Sequence, residues 1–189
     1  KLYGAMEPED WYEAARIIAS WNLEMDESED EGLRHTHDGT HKEWNIEFTK
    51  YIMSTYKKWL DREDRPLLSP DVTQAYVVPE LKKKNKVLFI VVDCLRLDQW
   101  MLVEPLVAEY FNVERDYYFS MLPTATPFAR NGLFAGLFPD DIHRMYPDNY
   151  AVQDEGSLNR NEEQFFRDNL ARNGLRYDKQ LKYRKIHNN

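Results

Sequence analysis

The sequence predicts an α/β protein, a parallel doubly wound sheet preceded by an α-helical hairpin or bundle. Three observations carry that expectation. Apolar residues recur at spacings of three and four through residues 8–60, as on amphipathic helices. A six-residue apolar run, Val87 to Val92, stops abruptly at Asp93, which is how a buried parallel strand reads. Beyond it, strand-like and helix-like stretches alternate in the order that winds a parallel sheet.

In the first helical stretch, Trp11, Ala14, Ala15, Ile17, Ile18, Trp21 and Met25 share one face, and Pro8 suits the first turn. Six acids between Glu24 and Glu31 repel one another, which predicts a solvated helix end and loop. Thr40 and Glu43 form a capping-box pattern that predicts a second helix starting there, with Trp44, Ile46, Phe48, Tyr51, Ile52, Tyr56 and Trp59 along it. Two such helices make a hairpin whose aromatic surface needs a partner, either the next domain or a second subunit.

Pro66 and Pro70 then break the helical pattern. The expected division is a helical linker region at residues 1–65, a connector at 66–85 and an α/β part at 86–189. Within the connector, 71–79 reads as a short helix with Ser69 before it, and Lys82, Lys83 and Lys84 front the apolar run as solubilising charges. After Asp93, Leu97 to Tyr110 reads as a helix containing Pro105, and Val113 to Phe119 as a second strand. Pro127 to Gly136 reads as a helix, Asp140 to Gly156 as a loop over the active-site face, and Asn161 to Gly174 as a last helix with its stop. Leu175 to Ile186, with apolar and basic residues interleaved, reads as an edge strand or ribbon suited to an acidic partner.

The net charge is −8, and residues 1–65 hold most of it, with 9 basic against 16 acidic side chains. Such a chain has no general attraction for nucleic-acid backbone, so direct DNA binding is not expected. The longest apolar run is far below the roughly twenty residues needed to span a bilayer, and no membrane span is expected. Cys94 is the sole cysteine. It rules out an internal disulfide and suits a reducing compartment, so the expected location is cytoplasmic, with Cys94 itself packed into the sheet as a small hydrophobe. The chain begins at Lys1 without a Met start and stops at Asn189 without a closing element, which reads as an excised piece.

Two stretches point to chemistry. Asp93 stands at the carboxyl end of the strand-like run, where open α/β sheets place their active sites. About thirty residues on comes Pro123-Thr124-Ala125-Thr126-Pro127, then a helix, then Gly136-Leu137-Phe138-Pro139. Taken singly, an Asp or Thr in these places is as well explained as a helix cap.

Together they resemble the alkaline phosphatase superfamily, and the register from Thr126 to Gly136 resembles its nucleotide phosphodiesterases. The wording Leu122-Pro123-Thr124-Ala125-Thr126, Ala129-Arg130-Asn131 and Leu133-Phe134-Ala135-Gly136 is similar to the PglZ branch, and within it to PorX-type response regulators of type IX secretion. The resemblance implies a sheet of alkaline-phosphatase type, present in part, with residues 86–189 as the amino-terminal part of a PglZ domain. It implies Thr126 as nucleophile and metal ligand, Asp93 as metal ligand, and two zinc ions about 4 Å apart as the cofactor. Arg130, one turn into the helix, is a candidate substrate-binding residue or the member of a surface salt bridge, and Asn149, two residues out of the family register, is the implied phosphate-binding residue. His35, His37 and His41 lie in a part the resemblance assigns to a linker, and read as surface histidines.

Only His143 and His187 follow Thr126, and neither stands in an Asp-His pair of the kind that closes the family's metal site. The expectation is therefore a zinc-dependent phosphodiesterase in the full-length parent, acting on a phosphoester or nucleotide, with an incomplete site and no activity from these residues alone. As effector of a two-component response regulator it would form a homodimer and regulate type IX secretion. The alternative is a catalytically incomplete helical module for dimerisation and for binding a secretion-system or transcription component.

Overall fold

The computed structural model describes residues 6–62, 64–149, 159–176 and 180–186, the side chains of Glu27 and Asn149 excepted. Its α-helices are α1 (Pro8–Glu27), α2 (Glu31–Leu60), α3 (Val78–Lys82), α4 (Leu97–Ala108), α5 (Thr126–Ala135), α6 (Pro139–Met145) and α7 (Glu162–Arg172). The chain divides into two compact units, Lys1–Pro66 with Val92–Tyr117, and Leu67–Val91 with Tyr118–Asn189.

In the first unit α1 and α2 form the expected hairpin. Early α1 meets late α2, since Trp11 lies 5.1 Å from the Phe48 ring and 5.4 Å from that of Tyr51, and late α1 meets early α2 at Trp21 and His37, 5.7 Å apart. The helices are therefore antiparallel. Their joint is sharper than the sequence predicts. Asp30 accepts from the Gly32 and Leu33 N–H groups at 2.8 and 3.1 Å, so α2 starts at Glu31 and runs straight through Thr40. An acidic cap beside helix-start N–H groups is favoured by hydrogen bonding and by the dipole, and it outcompetes the Thr40 pattern.

α4 follows the same hairpin. Its amino end meets Asn22 of α1, and the chain beyond its carboxyl end stacks Tyr117 on Tyr12 at 5.5 Å. Pro105 is accommodated in its last turns. An ion pair between Arg115 and Glu104 fixes the extended segment that leaves it.

The second unit is built on α5 and α7. Leu133, Phe134, Ala135 and Phe165 make its core with Val72 and Ile142, and Phe165 is fully buried. Burying one such ring contributes about 2–3 kcal/mol. Gly136 ends α5 at φ +63°, a left-handed cap favourable to glycine. That turn lets Asn169 of α7 donate to the Phe134 carbonyl at 3.0 Å while Arg172 donates to the Ala135 carbonyl, so α7 satisfies the last acceptors of α5. The segment before α3 docks through Thr73, whose hydroxyl donates to the Leu133 carbonyl at 2.9 Å.

The expected parallel doubly wound sheet is not formed. Among the described residues there is no β-strand, and the β-type pairing is an isolated parallel bridge between Leu68 and Phe119, with the Phe119 N–H donating to the Leu67 carbonyl at 2.9 Å. A parallel strand is held by neighbours on its edges and by helices on both faces. The run Val87 to Val92 is extended, yet Phe89 and Val91 alone pack on the helical core, while Leu88 and Ile90 are 84% and 68% exposed. With one face used and no ladder, the run is a strap over helices. Residues 113–118 and 181–186 are likewise without a ladder, so the expected second strand and terminal edge strand are not formed among the described residues.

Candidate active site

Asp93 lies in the first unit, in a turn between Val92 and α4. The turn is made by Cys94, which adopts φ +61°, the left-handed region that costs a non-glycine residue roughly 1–2 kcal/mol. Cys94 is exposed rather than packed in a sheet, and its Sγ donates to Asp93 Oδ1 at 3.8 Å. Asp93 does not cap α4. The N-cap is Arg96, whose N–H donates to Gln99 Oε1 at 3.1 Å. The capping explanation of Asp93 is thereby set aside.

Just beyond, Asp98 is 4% exposed and accepts from Arg96 Nε at 3.0 Å, Asn22 Nδ2 at 3.0 Å and the Gln99 N–H at 2.7 Å. Burial pushes its pKa up, but the bonds from Arg96 and Asn22 outweigh burial and hold it below the usual carboxylate range. Asn22 Oδ1 in turn meets His37 Nε2 at 2.9 Å, and His37 Nδ1 meets Asp38 at 3.2 Å. Of the three histidines of α2, His35 and His41 are exposed, whereas His37 is half-buried in this network. A cavity of about 310 Å³ opens beside it, lined by Asn22, Arg34, His37, Arg96 and Asp98 among others.

Thr126 lies in the second unit and is the first residue of α5, with Pro127 after it. The N-cap is Ala125, at φ −58° and ψ 139°, and it makes no side-chain capping bond. The Thr126 hydroxyl is therefore not taken up as a cap. The helix start supplies N–H groups and a positive dipole end, both suited to an anion. Thr126 and Arg130 are one turn apart on α5.

α5 is tied to the start of α7 and the residues before it by an arrangement that sequence reasoning missed. Glu162 is 1% exposed. It accepts from Arg130 Nε at 2.5 Å, Asn159 Nδ2 at 3.0 Å and the Tyr183 hydroxyl at 2.6 Å, with Lys185 Nζ at 3.8 Å. Asn159 Nδ2 also donates to the Thr126 carbonyl at 3.4 Å. Burial raises the Glu162 pKa, but Arg130 and Tyr183 overcome that and keep it below the usual carboxylate value; burial and Glu162 together push Tyr183 well above a normal phenol. Asn149 ends a short turn, Pro147–Asn149, after α6. His187 lies outside the described residues.

The carboxylate and the hydroxyl are oxygen donors of the type a divalent cation takes. Among the described residues, however, no three His, Cys, Asp or Glu side chains stand together to hold a metal ion. These donors alone do not make a zinc site, which in catalytic form takes three protein ligands.

Residues 72–188 match the BREX system PglZ alkaline phosphatase-like domain, and residues 1–60 match the PorX response regulator linker domain. The first match begins in the segment that docks on α5 and takes in both Asp93 and Thr126; the second covers the α1–α2 hairpin. No curated protein matches the chain. The helical hairpin thus falls within one match and the Asp93 turn and Thr126 helix within the other, and the chain belongs to the PglZ family of alkaline phosphatase-like domains, joined to a linker of the PorX response-regulator kind.

Proposed function

We propose that this chain is the effector portion of a two-component response regulator of type IX secretion whose phosphatase-like domain hydrolyses phosphodiesters with Thr126 as nucleophile. The observation that carries the reading is the placing of Thr126 as the first residue of α5, after the N-cap and not as the cap itself, ten residues before the left-handed Gly136. Thr126 Oγ would form the new bond to phosphorus as the ester bond to the leaving group breaks, the hydroxyl proton passing through solvent to the departing alcohol, and water would then cleave the Thr126–phosphorus bond to release the phosphomonoester and restore the hydroxyl. Helix N–H groups meet the charge that develops on phosphate. Asp93 is a metal ligand in this reading, with Thr126 as the second, and zinc bound in the full-length protein requires further ligands beyond these two. Arg130 and Asn149 are the proposed substrate contacts.

Hydrolysis of a chromogenic phosphodiester by the full-length protein tests it. Thr126→Ala abolishes turnover, and zinc restores turnover to chelated wild type. Unchanged hydrolysis in Thr126→Ala overturns the proposal.

A second reading, a dimerisation and partner-binding module, has its own support. Ile46 and Met53 on α2 and Leu102 and Leu106 on α4 are 56%, 80%, 63% and 62% exposed. Sedimentation with and without zinc separates the two: a dimer independent of metal favours the module, and metal uptake lost in Asp93→Asn favours the hydrolase.

A further inference from the structure

The Asp98 network has no part in the chemistry just described, yet it ties the linker to the turn that carries Asp93. Asp98 is the second residue of α4, inside the PglZ match, and its donors come from three places: Asn22 on linker helix α1, Arg96 in the turn, and the backbone of α4 itself. The Asn22 amide can be oriented only one way, since its Nδ2 donates to Asp98; its Oδ1 is then the acceptor for His37 Nε2 of α2. Linker helix α1 therefore reaches the buried carboxylate directly, and α2 reaches it through Asn22.

From that carboxylate the path to Asp93 is short. Arg96 is fixed twice, by its guanidinium on Asp98 and by its N–H on Gln99. Only Cys94 and Leu95 separate it from Asp93, and Cys94 is in a left-handed conformation that persists in a non-glycine residue when its neighbours over-determine it. A buried anion tolerates the loss of a partner poorly. When α1 shifts, the first turn of α4 has to follow, and the Asp93 turn with it.

We propose that Asn22 and Asp98 are positioning residues through which the linker helix pair sets the Asp93 turn, so that a movement of the linker regulates the site. The functional consequence rests on the reading of Asp93 as a site residue; the mechanical coupling does not. Hydrogen exchange on the full-length protein, with Asn22→Ala and the isosteric Asp98→Asn, tests it. In both variants the Arg96 and Trp100 amides, which donate to Gln99 Oε1 and to the Arg96 carbonyl, exchange at least about 5-fold faster, the size expected for losing one ordinary hydrogen bond, while the rest of α1 and α2 keeps wild-type protection. Phosphodiester turnover then shows a lower kcat at unchanged KM. Exchange of the Arg96 and Trp100 amides within twofold of wild type in both variants, or a rise spread evenly along α1 and α2, overturns the coupling. Hydrogen exchange reads the coupling whether or not the protein hydrolyses phosphodiesters, so the coupling and the proposed activity fail separately.

Discussion

Arg130 Nε donates to Glu162 Oε1 at 2.5 Å, and the Glu162 side chain is 1% exposed. A charge so deep is tolerated because three donors and a nearby ammonium surround it, and one of those donors, Asn159, also bonds the Thr126 carbonyl at the start of α5.

Removing one partner of that pair leaves the other buried and charged. Arg130→Met is expected to lower the stability of the second unit by about 3 kcal/mol in urea unfolding. Replacing both members, Arg130→Met with Glu162→Leu, recovers most of the loss, because no uncompensated charge remains. Equal loss in the single and double variants would show that the pair is not what holds the two helices together.

The same carboxylate sets the acid limb of stability. Its folded pKa lies below its unfolded value, so its contribution is complete above the unfolded pKa, roughly 4.3, and is lost as pH falls through the folded value. Melting temperature should drop more steeply below about pH 4.3 in wild type than in Glu162→Gln. Asp98 acts in the same direction in the first unit. On the alkaline side, Tyr12 and Tyr51, both pushed up to about 12, and Tyr183, held higher still, contribute fully below the ordinary phenol value of about 10 and less as pH rises past it. Absorbance titration should therefore show a group of tyrosines that ionise late, together with unfolding.

Gly136 and Gly174 both have positive φ, +63° and +79°, but their surroundings differ. A Cβ on Gly136 would stand 2.7 Å from both amide atoms of Asn169, whereas one on Gly174 meets nothing within 4 Å. Gly174→Ala should cost the backbone term alone, roughly 1–2 kcal/mol. Gly136→Ala should cost more in the same urea titration, since the Asn169 bond to Phe134 is also displaced. A smaller loss at Gly136 than at Gly174 would contradict this packing of α7 on α5.

Much of the helical architecture is legible in the sequence because its signals are local. Pro8 and the Trp11-to-Met25 spacing mark α1, and Gly136 and Gly174 mark the stops of α5 and α7. The start of α2 is misplaced to Thr40 because Gly39, three histidines and a run of acids imitate a loop; the Asp30 cap overrides them. Val87 to Val92 reads wrongly as a sheet strand because an apolar run does not say what pairs with it, and pairing is a distant property of the chain. Asp93 and Thr126 stand out by their places at the ends of elements. Glu162 does not, since an acid in the first turn of a helix reads as an ordinary complement to the dipole. Its burial depends on Arg130 and Tyr183, far from it in sequence.

Whether Thr126 is the nucleophile is settled most directly by looking for the covalent intermediate. Full-length protein quenched in acid during turnover of a bis-nitrophenyl phosphodiester and digested for mass spectrometry should carry a nitrophenyl-phosphoryl adduct on the peptide containing Thr126, located on that residue and absent from Thr126→Ala. Turnover with the Thr126 peptide unmodified, and at the wild-type rate in Thr126→Ala, would contradict the account.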